Sequence, residues 1–191
     1  MRLATYALQP HTSSSPLFPD SICNWGYVAG ASGAAGPFLR VAAVQLADFA
    51  DNSIRTAQQE LHARTLKIVD AIARGGAAGV QMMVFPEMSL VRYDQRFVQN
   101  LTLADMDTAE GAVAASCRIH GVWVVVGGPR FFYDNTTQAK RHWNTALVIN
   151  EVGDKVYRQA KLHTGLDTQA GRWMGTFQGP GNITASILVS I

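Results

Sequence analysis

Two residues of opposite charge stand where short apolar runs end. Glu87 follows Val80–Phe85 (VQMMVF) and Pro86; Lys161 follows Lys155–Arg158 by three positions. A carboxylate at the mouth of a buried strand is costly unless it is hydrogen-bonded or used. Desolvation raises the pKa of such a group, which suits general acid–base work near neutrality. A lysine beside it pairs with it and offers a cation to a developing oxyanion. Each residue alone also has a plain reading. Glu87 can cap its loop and face water, and Lys161 can be a solvated strand-end lysine.

The other reactive side chains are scattered. Cys117 lies in a helical stretch and reads as a buried small hydrophobe; Cys23 lies in an atypical leader. The five histidines sit singly, with no His-x-x-x-His or Cys-x-x-Cys pair to hold a metal. There is no Walker A loop. Gly30, Gly33 and Gly36 are spaced G-x-x-G-x-x-G, not as the dinucleotide fingerprint, and Gly30–Ala34 misses the nucleophile-elbow spacing by one residue. No metal site is expected.

The elements that must position Glu87 and Lys161 are legible as hydrophobic patterns. Leu39–Leu46 (LRVAAVQL) suits a buried strand. Asn52 or Ser53 can cap a helix running to about Arg74, with Leu61, Ile68 and Ile72 on one side and Leu66 and Val69 widening that face. Glu60, Arg64, Lys67, Asp70 and Arg74 form its polar side, and Gly75-Gly76 ends it. Val80–Phe85 is a second strand. Asp107–His120 is a second helix, stopped by Gly121 and followed by a strand at Val122–Val126. Thr145–Asn150 and Lys155–Arg158 flank a turn at Glu151–Asp154, and Ala185–Ile191 is a last apolar run. Strand–helix–strand–helix–strand with long crossovers predicts an α/β protein with a substantially parallel sheet, extended by antiparallel strands. In such sheets reactive groups gather beyond the strand ends.

The 191 residues, 48% of them hydrophobic, suffice for one domain with a sizeable core. With 16 Lys+Arg against 14 Asp+Glu the net charge is only +2, so no nucleic-acid footprint is expected. No apolar stretch approaches the roughly 18–20 residues of a membrane-spanning helix. Residues 1–37 hold four of the seven prolines and two charges, Arg2 and Asp20, and read as a loop-like or disordered extension. They make a poor secretory signal, and two cysteines make no disulfide scaffold, so a reducing, cytoplasmic compartment is expected. The glycosylation patterns at Asn100, Asn135 and Asn182 are then chance. Trp123, Trp143 and Trp173 read as packing residues, with a substrate-pocket role open for Trp173.

The motifs form an ordered set: Ala43-Val44-Gln45, Phe85-Pro86-Glu87, Val126-Gly127-Gly128, Asn144-Thr145-Ala146, Gly153, Tyr157-Arg158 and Lys161-Leu162-His163. In this order they resemble the nitrilase, or carbon–nitrogen hydrolase, superfamily over about three-quarters of the chain. The resemblance implies an αββα sandwich, here incomplete at its C-terminus, with residues 38–191 as the N-terminal part of the domain. It implies pairing with another subunit through a helical face. It also implies hydrolysis of non-peptide C–N bonds in a small-molecule amide, nitrile or N-carbamoyl substrate by a Cys–Glu–Lys triad without cofactor. Carried over, Glu87 matches the general base and Lys161 the lysine that stabilises the tetrahedral intermediate. The position two residues after Tyr157, usual for that lysine, holds Gln159; Lys161 fits the Lys-x-His pattern that follows.

The nucleophile departs from the pattern. In the family the cysteine ends the strand after the lysine; here that strand is Ala185–Ile191, which has none, and the matching position falls near Val189 or just past Ile191. Ser186 and Ser190 are weak nucleophiles with no histidine base evident. Gln169 stands where many members carry a second glutamate. The sequence reads as the N-terminal part of a hydrolase whose cysteine is missing from these residues, or as an inactive fragment that binds a partner.

Overall fold

Short apolar runs and one-sided helices alternate along the sequence, and each finds the neighbour its pattern demands. The computed structural model describes residues 25–27, 39–46, 55–162, 170–171 and 174–187. Six strands form one sheet in sequence order: β1 (Trp25–Tyr27), β2 (Arg40–Ala43), β3 (Met82–Val84), β4 (Trp123–Tyr133), β5 (Lys140–Ile149) and β6 (Lys155–Ala160). β2, β3 and β4 are parallel, with Val41 opposite Met82 and Met82 opposite Trp123. β4–β5–β6 run antiparallel, so two reversals return β6 to the direction of β3. That topology puts the carboxyl ends of β3 and β6 at the same end of the sheet.

α1 (Ala57–Ala77) and α3 (Leu103–His120) cover one face, and a short α2 (Gln95–Gln99) precedes α3. Ile68, Ile72, Val113 and Cys117 from the helices join Met83, Phe85, Val124, Val126, Leu147 and Ile149 from the sheet in one core. The opposite face carries a smaller cluster. There Val125, Ala146 and Val148 are covered by Phe177 and Ala185 of a separate hairpin, β7 (Phe177–Gln178) and β8 (Thr184–Ala185). The Phe177 ring stacks on Tyr157 with centroids 5.4 Å apart.

Several local readings change. Thr56, not Asn52 or Ser53, caps α1: its Oγ1 accepts from Gln59 N–H and Gln59 Oε1 accepts from Thr56 N–H. This reciprocal capping box satisfies two N-terminal donors at once. Gly75-Gly76 does not end the helix. A Cβ at Gly75 would sit 2.4 Å from Met83 Sδ, and one at Gly76 2.9 Å from His120 Cβ, so these glycines let α1 approach the sheet and α3. The backbone turns at Gly79, with φ +75°. Leu66 is exposed, whereas Glu60 and Arg64 are buried because they neutralise each other at 2.7 Å on the core side. α3 begins at Leu103, four residues before the expected start, where Thr102 and Asp105 form a second capping box. Gly121 ends it in the left-handed region as expected. Within residues 1–37, Trp25–Tyr27 is a strand rather than a loop; it occupies an edge that β2 would otherwise leave open. The remainder of residues 1–37, with Cys23, lies outside the described residues, as do Asn52, Ser53, His163, Gln169, Trp173, Val189 and Ser190.

The β4–β5 hairpin is far longer than its apolar runs indicate. Pro129 lies inside β4, opposite Asn144. Gly127, two residues earlier, directs its N–H to Ser89 Oγ and its C=O to Leu90 N–H, away from β5. Pro129 therefore points the same way, beyond the reach of β3, where a missing N–H breaks no ladder. β6 carries a bulge: Tyr157 pairs with Val148 and Lys155 with Ile149, leaving Val156 over. Beyond it Tyr157 and Gln159 share one face, while Lys155 and Arg158 share the other.

Candidate active site

The loop after β3 is held by the strand beside it. Phe85 N–H still donates to Val125 C=O, after which Pro86 breaks the ladder and the backbone turns, with Ser89 N–H donating to Pro86 C=O. Met88 takes a positive φ of 54°. Ser89 is buried; its Oγ accepts from Gly127 N–H at 3.0 Å. A Cβ on Gly127 would lie 2.6 Å from Met88 N and 2.8 Å from Pro86 C=O. The turn carrying Glu87 thus rests directly on the β4 backbone, and only glycine permits the contact.

Lys161 leaves β6 one pleat beyond Gln159. Its N–H donates to Asn144 C=O at 2.8 Å, and its C=O accepts from Gly171 N–H at 2.7 Å. With the backbone fixed on both sides, Nζ reaches Glu87 Oε1 at 2.8 Å. The two residues are 74 positions apart in sequence. The Lys161 side chain is 12% accessible and that of Glu87 29%, so the pair sits at a mouth rather than inside the core.

Asn144 completes the group. It is buried, and its Nδ2 also donates to Glu87 Oε1. Two donors converge on one carboxylate oxygen, while Oε2 takes no hydrogen bond among the described residues. Asn144 belongs to the Asn-Thr-Ala motif, but its type and position alone carry no signal of this contact, which depends on cross-strand geometry.

Gln159 is used elsewhere. Its Oε1 accepts from the Tyr157 hydroxyl at 2.5 Å, and Tyr157 Oη in turn accepts from Gly175 N–H at 2.8 Å, tying the segment before β7 to β6. Arg158, on the other face, makes a two-pronged contact with Glu110 of α3, both oxygens at 2.8 Å, and Lys155 adds a bond of 2.7 Å.

Cys117 is far from nucleophilic. It lies in the helix-side core at 0% exposure, and burial pushes its thiol up to about 12. Ser186 is exposed just past β8. Trp143 stacks on Phe132 with centroids 4.0 Å apart, and Trp123 packs in the smaller cluster, so both are packing residues. Among the described residues no group of three or more His, Cys, Asp or Glu could hold a metal ion. None of the described helices is long and apolar enough to cross a membrane.

Comparison with known proteins identifies the family and the fold. The carbon-nitrogen hydrolase family model matches residues 40–184. Among solved structures, the NitN amidase of a Nesterenkonia species superposes with a TM-score of 0.63 at 19% identity, over 78% of this chain and 56% of that one. A variant of the same amidase, bearing acrylamide added at its active-site cysteine, superposes at 0.62 and 18% identity, over 78% and 56% of the two proteins. A variant in complex with butyramide superposes at 0.62 and 18%, over 78% and 55%. The present sequence thus spans a little over half the length of these amidases, and the likeness is one of fold. No curated protein matches it.

Proposed function

This chain belongs to the carbon–nitrogen hydrolase family, and from that premise we propose that it acts on small amides, with Glu87 as proton-transfer base and Lys161 as the oxyanion-stabilising cation. Nitriles and N-carbamoyl amines are the neighbouring substrate classes. The observation that carries the reading is the convergence of Glu87 and Lys161 at 2.8 Å at one end of the sheet.

The chemistry follows from which oxygens are engaged. Oε1 of Glu87 is tied by Lys161 and Asn144, so Oε2 is the oxygen presented for a proton. A thiol gives that proton to Oε2 as its sulfur bonds to the amide carbon, and the carbonyl electron pair moves onto oxygen beside the Lys161 ammonium. Collapse of this adduct breaks the C–N bond, and the amine leaves with the proton from Glu87. Water then yields a proton to Glu87 and attacks the thioester, releasing the acid and restoring the thiol.

The thiol in this scheme is not Cys117, whose burial keeps it protonated and away from solvent. It is a cysteine not found among the described residues. Lack of a reactive thiol among the described residues favours, as a second reading, an inactive family member that binds a partner or a paralogous subunit.

An ammonia-release assay over amides, nitriles and N-carbamoyl amines separates these. The 191-residue protein should be silent, also after Val189→Cys. The product read through past the Ile191 codon should release ammonia and lose about 10²–10⁴-fold on Glu87→Gln, the usual contribution of positioned proton transfer. Turnover by the 191-residue protein that survives Glu87→Gln overturns the assignment. Silence of the read-through product on all three classes, with a partner retained, establishes the binding reading instead.

A further inference from the structure

Among the described residues, Asn144 is the one side chain of the sheet that hydrogen-bonds to the pair, and its own environment is unusual. It is 2% exposed. Its Nδ2 donates to Glu87 Oε1, and its backbone C=O accepts from Lys161 N–H at 2.8 Å. Its Oδ1 is buried and has no hydrogen-bond partner among the described residues. No described residue offers that oxygen a hydrogen, so the amide is held by what its Nδ2 gains rather than by its Oδ1. Turning the amide over would give no relief, because Oδ1 would then face a carboxylate oxygen. The orientation is therefore set by Glu87.

We infer that Asn144 is a positioning residue that registers Glu87 and Lys161 against each other. Its side chain pins Oε1, its backbone pins the start of the Lys161 segment, and the two contacts come from one residue of one strand. With Oε1 pinned twice, the carboxylate cannot rotate to exchange its oxygens, and Oε2 stays the free one. Other short side chains fail at this position for stated reasons. Aspartate would set a second carboxylate against the first, serine falls short of Oε1, and glutamine is one methylene too long for a packed site.

The coupling can be read in the 191-residue protein without any turnover. The Asn144 side-chain amide resonances are assigned through bonds in a ¹H–¹⁵N spectrum. An N–H bonded to a carboxylate is charge-assisted, so Glu87→Gln should move them upfield by more than any other side-chain amide, with backbone resonances of the helix-side core unmoved. If they move no more than the rest, the inference is overturned. Glu87 is at the surface, so this variant retains the fold. Its consequence for catalysis rests on the hydrolase reading above. In the ammonia-releasing read-through product, Asn144→Ala should lower kcat about 10²-fold with KM little changed, the size of a lost alignment, and Asn144→Ser should not recover it. An equal fall in kcat/KM carried by KM alone would overturn the positioning role. Coupling without hydrolysis by any form removes the hydrolase reading and leaves the registration of Glu87 intact.

Discussion

β6 and the residue that follows it contribute cations to both faces of the sheet, and the ion pairs they make are opposites. On the helix face, Glu110 is 1% exposed, and both its oxygens are taken by Arg158 and Lys155. On the far side, Glu87 is 29% accessible in its side chain and among the described residues hydrogen-bonds through a single oxygen. A carboxylate with both oxygens engaged is a strut: it ties α3 to the sheet and has nothing left to offer a reactant. One with a free oxygen at the surface can still accept a proton. The same residue types thus serve fold on one side and proposed chemistry on the other, and the difference lies in how completely they are satisfied.

Stability measurements can break this comparison. Glu110→Ala leaves Arg158 and Lys155 without their carboxylate under α3, and unfolding by urea should show a loss of about 3–5 kcal/mol. Gly127→Ala forces the Glu87 turn off β4. It should cost about 1–3 kcal/mol by the same measurement, as overpacking does, and should displace Glu87 from Lys161 in a crystal structure. Thr102→Ala removes the α3 cap and should cost about 1 kcal/mol at neutral pH. The Thr102 hydroxyl and backbone N–H hold Asp105 below the ordinary carboxylate range. A folded pKa below the unfolded one means a contribution present above the unfolded value and lost as pH falls. The gap between native and Thr102→Ala should therefore narrow in acid. Smallest of all, Glu87→Gln should change stability by about 0–1 kcal/mol, the usual worth of a surface pair. A loss from Glu87→Gln as large as that from Glu110→Ala would erase the distinction between strut and site.

The fold was legible where one local pattern decided the outcome. Apolar runs at Val41–Val44, Met82–Val84 and Val122–Val126 could hardly be anything but strands, and Gly121 stopped α3 as such a residue should. Patterns with two meanings misled. Gly75-Gly76 looks like a helix stop and is a packing contact; Gly127-Gly128-Pro129 looks like a strand end and lies inside β4. Thr56-x-x-Gln59 was readable as a capping box, but Asn52 and Ser53 stood nearer the preceding strand. α2, at five residues, has too few positions for a period. At the site, Glu87 and Lys161 announced themselves by standing after strands. Asn144, Ser89 and Glu110 did not, because their importance depends on what lies across a strand or under a helix.

The spare residue at Val156 has a consequence for quality control. In a regular strand Lys155 and Arg158 would project from opposite faces; the bulge lets both reach Glu110 while Gln159 and Lys161 stay with Asn144. A molecule that closed β6 one residue out of phase would send the guanidinium toward Glu87 and leave Glu110 buried and bare. It would lose its strut and its ion-paired mouth in the same error. Misassembled copies would therefore be unstable and would lack the Glu87–Lys161 pair, and the surviving population would be sorted by the very strand that aligns it.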